Sequence, residues 1–361
     1  MKDGSIFPSK DWVLLSTSEN NHSGFWNSVW GKRKVVKDNY NELVMTFKSV
    51  SNDDRMDIIF RVYDDGMAFR YYYPERNLNE FEVKSELTEF NFSGDFTSWF
   101  YNGEHHNFGP DRLSEVDGIR HPVMTVKASD EHYLAVHESD LTEGQPLVLS
   151  SQKGSTVFYV SSCPSTLRPG YRSAWRVIFH GNTPGEMVDS HLIELLSPEI
   201  EGDFSWVKPS VAVWDWRING AIADDGFRYG MDYPSCVRMV DFASEQGFRY
   251  LVLDADWYGP EFESDSNPLT GDKVNDVKRI ISYGKDMGVG IWLYLNDVGG
   301  RKYPIEKTLK QYGEWGAAGV KHGFMRGNAE EKNLWTRKIT RLCAENRLLV
   351  DFHDGPVHPY G

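Results

Sequence analysis

Apolar and polar positions follow two different rhythms along this chain. From about residue 11 to 200 the rhythm is that of short strands. Residues 56–63 and 67–73 are dense in aromatic and branched side chains. Asp64-Asp65-Gly66 between them reads as a hairpin turn, with Gly66 supplying a positive φ. Further strands are expected at 156–160 and 174–179. Many strands separated by turn residues predict a large antiparallel sandwich.

After about residue 207 the period lengthens. Residues 211–214 read as a buried strand. A helix follows over 237–246, with Val237, Val240 and Ala243 on one face and Gly247 as its stop. The next strand is 250–253. A helix over 276–287 comes after it, with Val274, Val277 and Ile281 lining one side. Strand 290–294, helix 305–315 and strand 319–321 continue the series. A helix carrying Leu334, Ile339 and Leu342 precedes a last strand at 348–352. Four β–α units and a fifth strand predict a parallel sheet.

Polar residues gather where these strands end: Asp215, Asp254, Asp256, Asn296, Asp297, His322, His353 and Asp354. In a (β/α)8 barrel that edge is the active-site rim. A doubly wound sheet is disfavoured, because no Gly-rich phosphate loop follows the first strand. The expected organisation is a sandwich over 1–205 and a barrel over 206–361. A whole barrel has eight strands and about 250 residues, so the five strands read here predict an incomplete one.

Composition narrows the partners. The net charge of −14 argues against nucleic acid and against anionic membranes. No apolar run is long enough to span a bilayer. Three cysteines at wide spacing give neither a disulfide framework nor a zinc motif. The chain carries 12 Trp, 18 Tyr and 20 Phe, enough for a β core and for sugar-stacking surfaces. Trp214 and Trp216 admit both readings.

Several stretches in order resemble glycoside hydrolase family 97, bacterial α-glucosidases and α-galactosidases. In the first half they are residues 60–71 (FRVYDDGMAFRY), 86–90 (ELTEF), 137–141 (HESDL) and 174–178 (AWRVI). In the second half they are 241–243 (DFA), Val320-Lys321 and 350–353 (VDFH), with Pro359 and Gly361. The resemblance implies an N-terminal β-super-sandwich, a (β/α)8 barrel and hydrolysis of terminal α-linked sugars, with α-glucosides first.

The resemblance also bears on stereochemistry. Retaining members carry an Asp nucleophile two residues after the Lys of the fourth strand, and here that position is Gly323. Inverting members have Gly there and a carboxylate directly after the His of the fifth strand. The residue after His353 is Asp354, where inverting members usually have Glu. An inverting enzyme sets its base back by a water's width, with the carboxyl groups about 6.5–9.5 Å apart. The expected base is therefore Asp354, with a loop-capping role as its alternative. Asp351 as a retaining nucleophile is a weaker reading.

By the same resemblance, His353 and Lys321 hydrogen-bond sugar hydroxyls. Asp254 is a further hydroxyl-binding candidate, and Trp214 a stacking one. Glu138 falls in a stretch similar to the family's calcium-ligand segment, which implies Ca2+ bound between the domains. The general acid and the other calcium carboxylates of the family come from strands after the fifth. The implied location is periplasmic or secreted. Two rival readings are a non-catalytic carbohydrate-binding remnant and one half of a split glycosidase whose barrel a second chain completes.

Overall fold

The structure is a computed structural model that describes residues 6–8, 10–28, 31–103, 105–161, 165–199 and 201–353. The chain divides into two compact units, 1–200 and 201–357.

The first unit is built on a twelve-stranded sheet whose paired strands are antiparallel. One edge is a long hairpin, Trp12–Asn27 with Val35–Ser49. Arg55–Tyr63 and Gly66–Tyr72 follow, then Trp175–Gly181, His132–Ser139 and Gly118–Ser129. Neighbouring residues of His132–Ser139 enter different cores. Ala135 packs with Trp175 and Val177, and Val136 with Met124 and Phe158. Both faces of this strand are covered, as a sandwich requires.

The expected hairpin at Asp64-Asp65 is present, with Tyr63 opposite Gly66. The reason for glycine is more than the turn's φ. A Cβ on Gly66 would collide with the Ile178 carbonyl and Leu192 Cδ1, so the neighbouring strand leaves no room for one.

The second unit is a parallel sheet of five strands in chain order: Ala212–Trp214, Tyr250–Leu253, Gly290–Asn296, Gly319–Gly323 and Leu349–His353. It curls as a partial TIM barrel, with helices Tyr233–Glu245, Val274–Met287, Ile305–Trp315 and Ala329–Glu345 between the strands. One sheet face, carrying Leu251, Leu253, Ile291, Leu293, Leu295 and Val320, forms the main core with these helices. Side chains alternate along each strand, so the other face carries Trp214, Trp292, Tyr294, Lys321 and His353.

Local signals explain the boundaries. Asp232 caps the first of these helices by accepting from the Ser235 N–H at 2.9 Å. Asn328 and Glu331 close a capping box on the last. Gly288 and Gly316 end their helices in the left-handed conformation.

Two expectations are corrected. The first strand, Ala212–Trp214, is only half-buried, because it pairs on one side alone among the described residues. Leu334 is 51% exposed. The buried stripe of its helix is Asn333, Thr336, Ile339, Leu342 and Cys343, a phase that includes two polar residues and so escapes an apolar search.

Candidate active site

The C-terminal ends of the parallel strands bring together three of the expected residues. Asp254 follows the second strand, Lys321 lies within the fourth, and Trp214 ends the first. Asp254 Oδ2 accepts from Lys321 Nζ at 2.5 Å and from Trp214 Nε1 at 2.5 Å. Its other oxygen accepts from the Ala255 N–H at 2.8 Å. The Lys321 ammonium also lies 4.3 Å from the centre of the Trp214 ring, close enough for a cation–π contact. The Asp254 and Lys321 side chains are 7% and 8% exposed. A buried charge pair of this kind persists only when its remaining polar atoms are also satisfied.

Asp215 lies behind this cluster. Its Oδ1 accepts from the Asp254 N–H at 2.9 Å. Burial pushes its carboxyl up to about 7, with the Asp254 charge adding to the effect against two backbone hydrogen bonds.

His353 ends the fifth strand opposite Gly323. Its ring meets Phe324 edge-on at 5.2 Å, and Phe324 holds a left-handed φ of 55°. Asp351 is exposed and sits opposite Lys321 in the sheet register. Asp354 lies outside the described residues.

Asp256 and His322 do not join the cluster. Asp256 has a φ of 68° and belongs to a turn, where its Oδ1 accepts from the Glu261 N–H at 2.9 Å. It is a loop organiser and does not share a strand face with Asp254. His322 points into the helix layer beside Trp335 and Phe352. Burial depresses its imidazole to about 4.

Sequence reasoning passed over Tyr294 and Glu261. The Tyr294 hydroxyl donates to Glu261 Oε2 at 2.5 Å, and Asn296 Nδ2 donates to the Glu261 carbonyl. These bonds fold the loop after the second strand over the end of the third. The signal for Tyr294 was present: period two places it with Trp292 and Asn296, in register with Lys321. Glu261 lies in a loop without periodicity and carried none.

Glu138 is the residue whose surroundings differ most from expectation. It lies on His132–Ser139, wholly withdrawn from solvent. Its Oε1 accepts from the Leu147 N–H at 2.8 Å and its Oε2 from Arg176 Nη1 at 3.1 Å. Arg176 also clamps Glu86 through both Nε and Nη2. Burial pushes the Glu138 carboxyl up to about 7, opposed by Arg176. Calcium takes six to eight oxygens, and a guanidinium beside the carboxylate repels a cation. Glu138 as it stands is the buried partner of Arg176 and of the Leu147 N–H.

Residues 7–198 match the family model described as glycosyl-hydrolase 97 N-terminal, and residues 213–361 match glycoside hydrolase 97. The chain belongs to glycoside hydrolase family 97. It is 25% identical to a retaining alpha-galactosidase of Bacteroides thetaiotaomicron, over 96% of this chain and 57% of that protein. It is also 25% identical to a probable retaining alpha-galactosidase of Streptomyces bingchenggensis, over 84% of this chain and 47% of that one. The chain thus spans about half the length of these relatives. A family 97 enzyme of Pseudoalteromonas sp. strain K8, solved with acarbose, superposes with a TM-score of 0.82 at 21% identity, over 96% of this chain and 59% of that one.

Proposed function

We propose that this chain contributes the sandwich and the first five barrel strands of a glycosidase that hydrolyses terminal α-linked sugars, α-glucosides first, with inversion. The observation that carries the reading is the Lys321–Asp254–Trp214 cluster at the C-terminal ends of the strands. A carboxylate and an ammonium side by side complement the paired hydroxyls of a pyranose, and the Trp214 indole holds that carboxylate through Nε1. His353, at the neighbouring strand end, adds an imidazole donor and acceptor.

Inversion is supported by Gly323. A Cβ there would stand 3.2 Å from the His353 carbonyl oxygen and 3.3 Å from its Cβ. A side chain at this position, where the family resemblance places the nucleophile of retaining members, requires the fifth strand to yield by a few tenths of an ångström. In this reading a water attacks the anomeric carbon as the bond to the leaving-group oxygen breaks, and Asp354 takes the water's proton as general base; a p-nitrophenol departs as its anion. The leaving-group acid is assigned to no described residue.

The test is hydrolysis of p-nitrophenyl α-glucoside and α-galactoside by the 361-residue chain and its Asp354→Asn variant, with NMR of the first-formed sugar. β-Glucose appearing first, and lost in the variant, supports the proposal. α-Galactose appearing first overturns it and aligns the chain with its named relatives. Sugar binding without turnover favours a second reading, a carbohydrate-binding protein, for which the Lys321–Asp254–Trp214 cluster alone suffices. An exported location, implied by the family resemblance, is checked by cell fractionation.

A further inference from the structure

Two exposed aromatic rings stand at the C-terminal ends of the parallel strands. Phe262, in the loop after Tyr250–Leu253, is 57% exposed, and Phe324, directly after Gly319–Gly323, is 46% exposed. They meet edge to face with their centres 5.3 Å apart. Phe324 in turn meets the His353 ring at 5.2 Å, so the three rings form a row. Phe324 follows Lys321 by three residues, about 10 Å at the rise of a strand. The row therefore crosses the strand ends one layer outward of the Lys321–Asp254–Trp214 cluster.

Stability does not account for this row. Phe324 holds a left-handed φ of 55°, a conformation that bulky side chains rarely adopt, and its ring is not buried in return. Phe262 is more exposed still. Backbone strain without burial clusters at functional sites, and adjoining exposed apolar groups mark interaction surfaces.

Both rings sit on fastened loops. Glu261, next to Phe262, is tied at three points: its N–H donates to Asp256 Oδ1, its Oε2 accepts from the Tyr294 hydroxyl, and its carbonyl accepts from Asn296 Nδ2. The Phe324 N–H donates to the His353 carbonyl at 3.3 Å, and the Arg326 N–H to Asp297 Oδ2 at 2.8 Å. A surface ordered in advance loses little freedom when a ligand lands on it.

The chemistry of the row selects its occupant. The two phenyl rings offer apolar faces and no charge. Glu263, Ser264 and Arg326, all exposed, give them a polar border. A pyranose matches this with an apolar face of C–H groups and a rim of hydroxyls. A substrate whose terminal sugar lies on the inner cluster directs its leaving group outward. Resting on the reading of that cluster as the sugar site, we infer that Phe262 and Phe324 form a platform for the next sugar, on the leaving-group side of the bond. The chain then selects α-linked oligosaccharides over α-glycosides of small alcohols.

Titration calorimetry of the 361-residue chain tests this with methyl α-glucopyranoside and with methyl 4-thio-α-maltoside, whose sulfur bridge resists hydrolysis. The parent is expected to bind the disaccharide about 5-fold more tightly than the monosaccharide, the size of one aromatic contact. Phe262→Leu or Phe324→Leu is expected to bring that ratio close to one, and Phe262→Tyr to keep it, since an aromatic face remains. The ratio is taken within each variant, so a general change in affinity cancels, and circular dichroism confirms each fold. Phe262 lies in a loop, so the test survives if Phe324→Leu fails to fold. A ratio near one in the parent, or one indifferent to Phe262→Leu, overturns the inference while monosaccharide binding leaves the glycosidase reading intact. Binding of neither sugar overturns both.

Discussion

Glu138 Oε2 accepts a hydrogen bond from Arg176 Nη1 at 3.1 Å, with neither side chain reaching solvent. The same guanidinium holds Glu86. One cation therefore serves two acids inside a β-sandwich, and its removal leaves buried negative charge.

Arg176→Met is expected to destabilise the sandwich by roughly 3–5 kcal/mol, as breaking a buried pair does. Arg176→Met/Glu138→Gln recovers part of the loss, because less charge is stranded. Urea unfolding of the two variants checks this; equal midpoints would refute it. Because both Glu138 oxygens are engaged, Glu138→Gln leaves any effect of calcium or chelator on the melting temperature unchanged.

Asp215 gives a pH signature. In the fold its carboxyl is held up at about 7, against about 4 when unfolded. Between these values the unfolded chain releases the proton and the folded chain keeps it. This contribution to stability therefore falls as pH rises through the window and is level outside it. Asp215→Asn lacks the titration and keeps a carbonyl for the Asp254 N–H. Relative to the parent it gains stability from pH 4 to pH 7. Parallel urea profiles at the two pH values would sink the assignment.

Gly319 packs beneath Trp292. A Cβ there would lie 2.5 Å from Trp292 Cδ2 and 2.9 Å from the Leu349 carbonyl oxygen. Neither neighbour is a flexible chain end, so Gly319→Ala costs about 3 kcal/mol, at the upper end of ordinary overpacking. Trp292→Leu in the same chain removes the ring contact and leaves the Leu349 one, so Gly319→Ala costs less in that background than in the parent. Thermal melts of the single and double variants provide the comparison.

Lys321 and Asp254 form a coupled pair. Either Lys321→Met or Asp254→Asn alone costs roughly 3–5 kcal/mol, and the double variant costs less than their sum. A double-mutant cycle on unfolding free energies measures the coupling, and additive losses would show that the contact carries no interaction energy.

The parallel unit was the more legible half. Its strands are short apolar runs and its helices carry regular stripes, so Tyr250–Leu253 and Ile305–Trp315 fall at the expected bounds. Asp254 and Trp214 were readable singly because one follows a strand and the other ends one, and Lys321 through the family resemblance; their meeting at one carboxylate oxygen was not readable. Other assignments depend on contacts that no local pattern encodes. Glu138 looks like a loop acid in sequence, and only the pairing of His132–Ser139 with Trp175–Gly181 sets it opposite Arg176. Asp256 keeps the two-residue spacing of a strand, but the strand has ended at Leu253. Gly66 was legible as a turn glycine, while its closeness to Ile178 arises from a strand more than a hundred residues away.

The Lys321–Asp254 contact has a mechanical meaning. It joins the second and fourth strands, which flank the third, so their backbones stand about 10 Å apart at ordinary strand spacing. The contact is a chord across the concave side of an arc, and a chord of fixed length sets the bend of the arc. Trp214 extends the same tie to the first strand through the shared carboxylate oxygen. A hydroxyl that draws Asp254 toward itself slackens the tie, so occupancy of the site and curvature of the sheet become one variable.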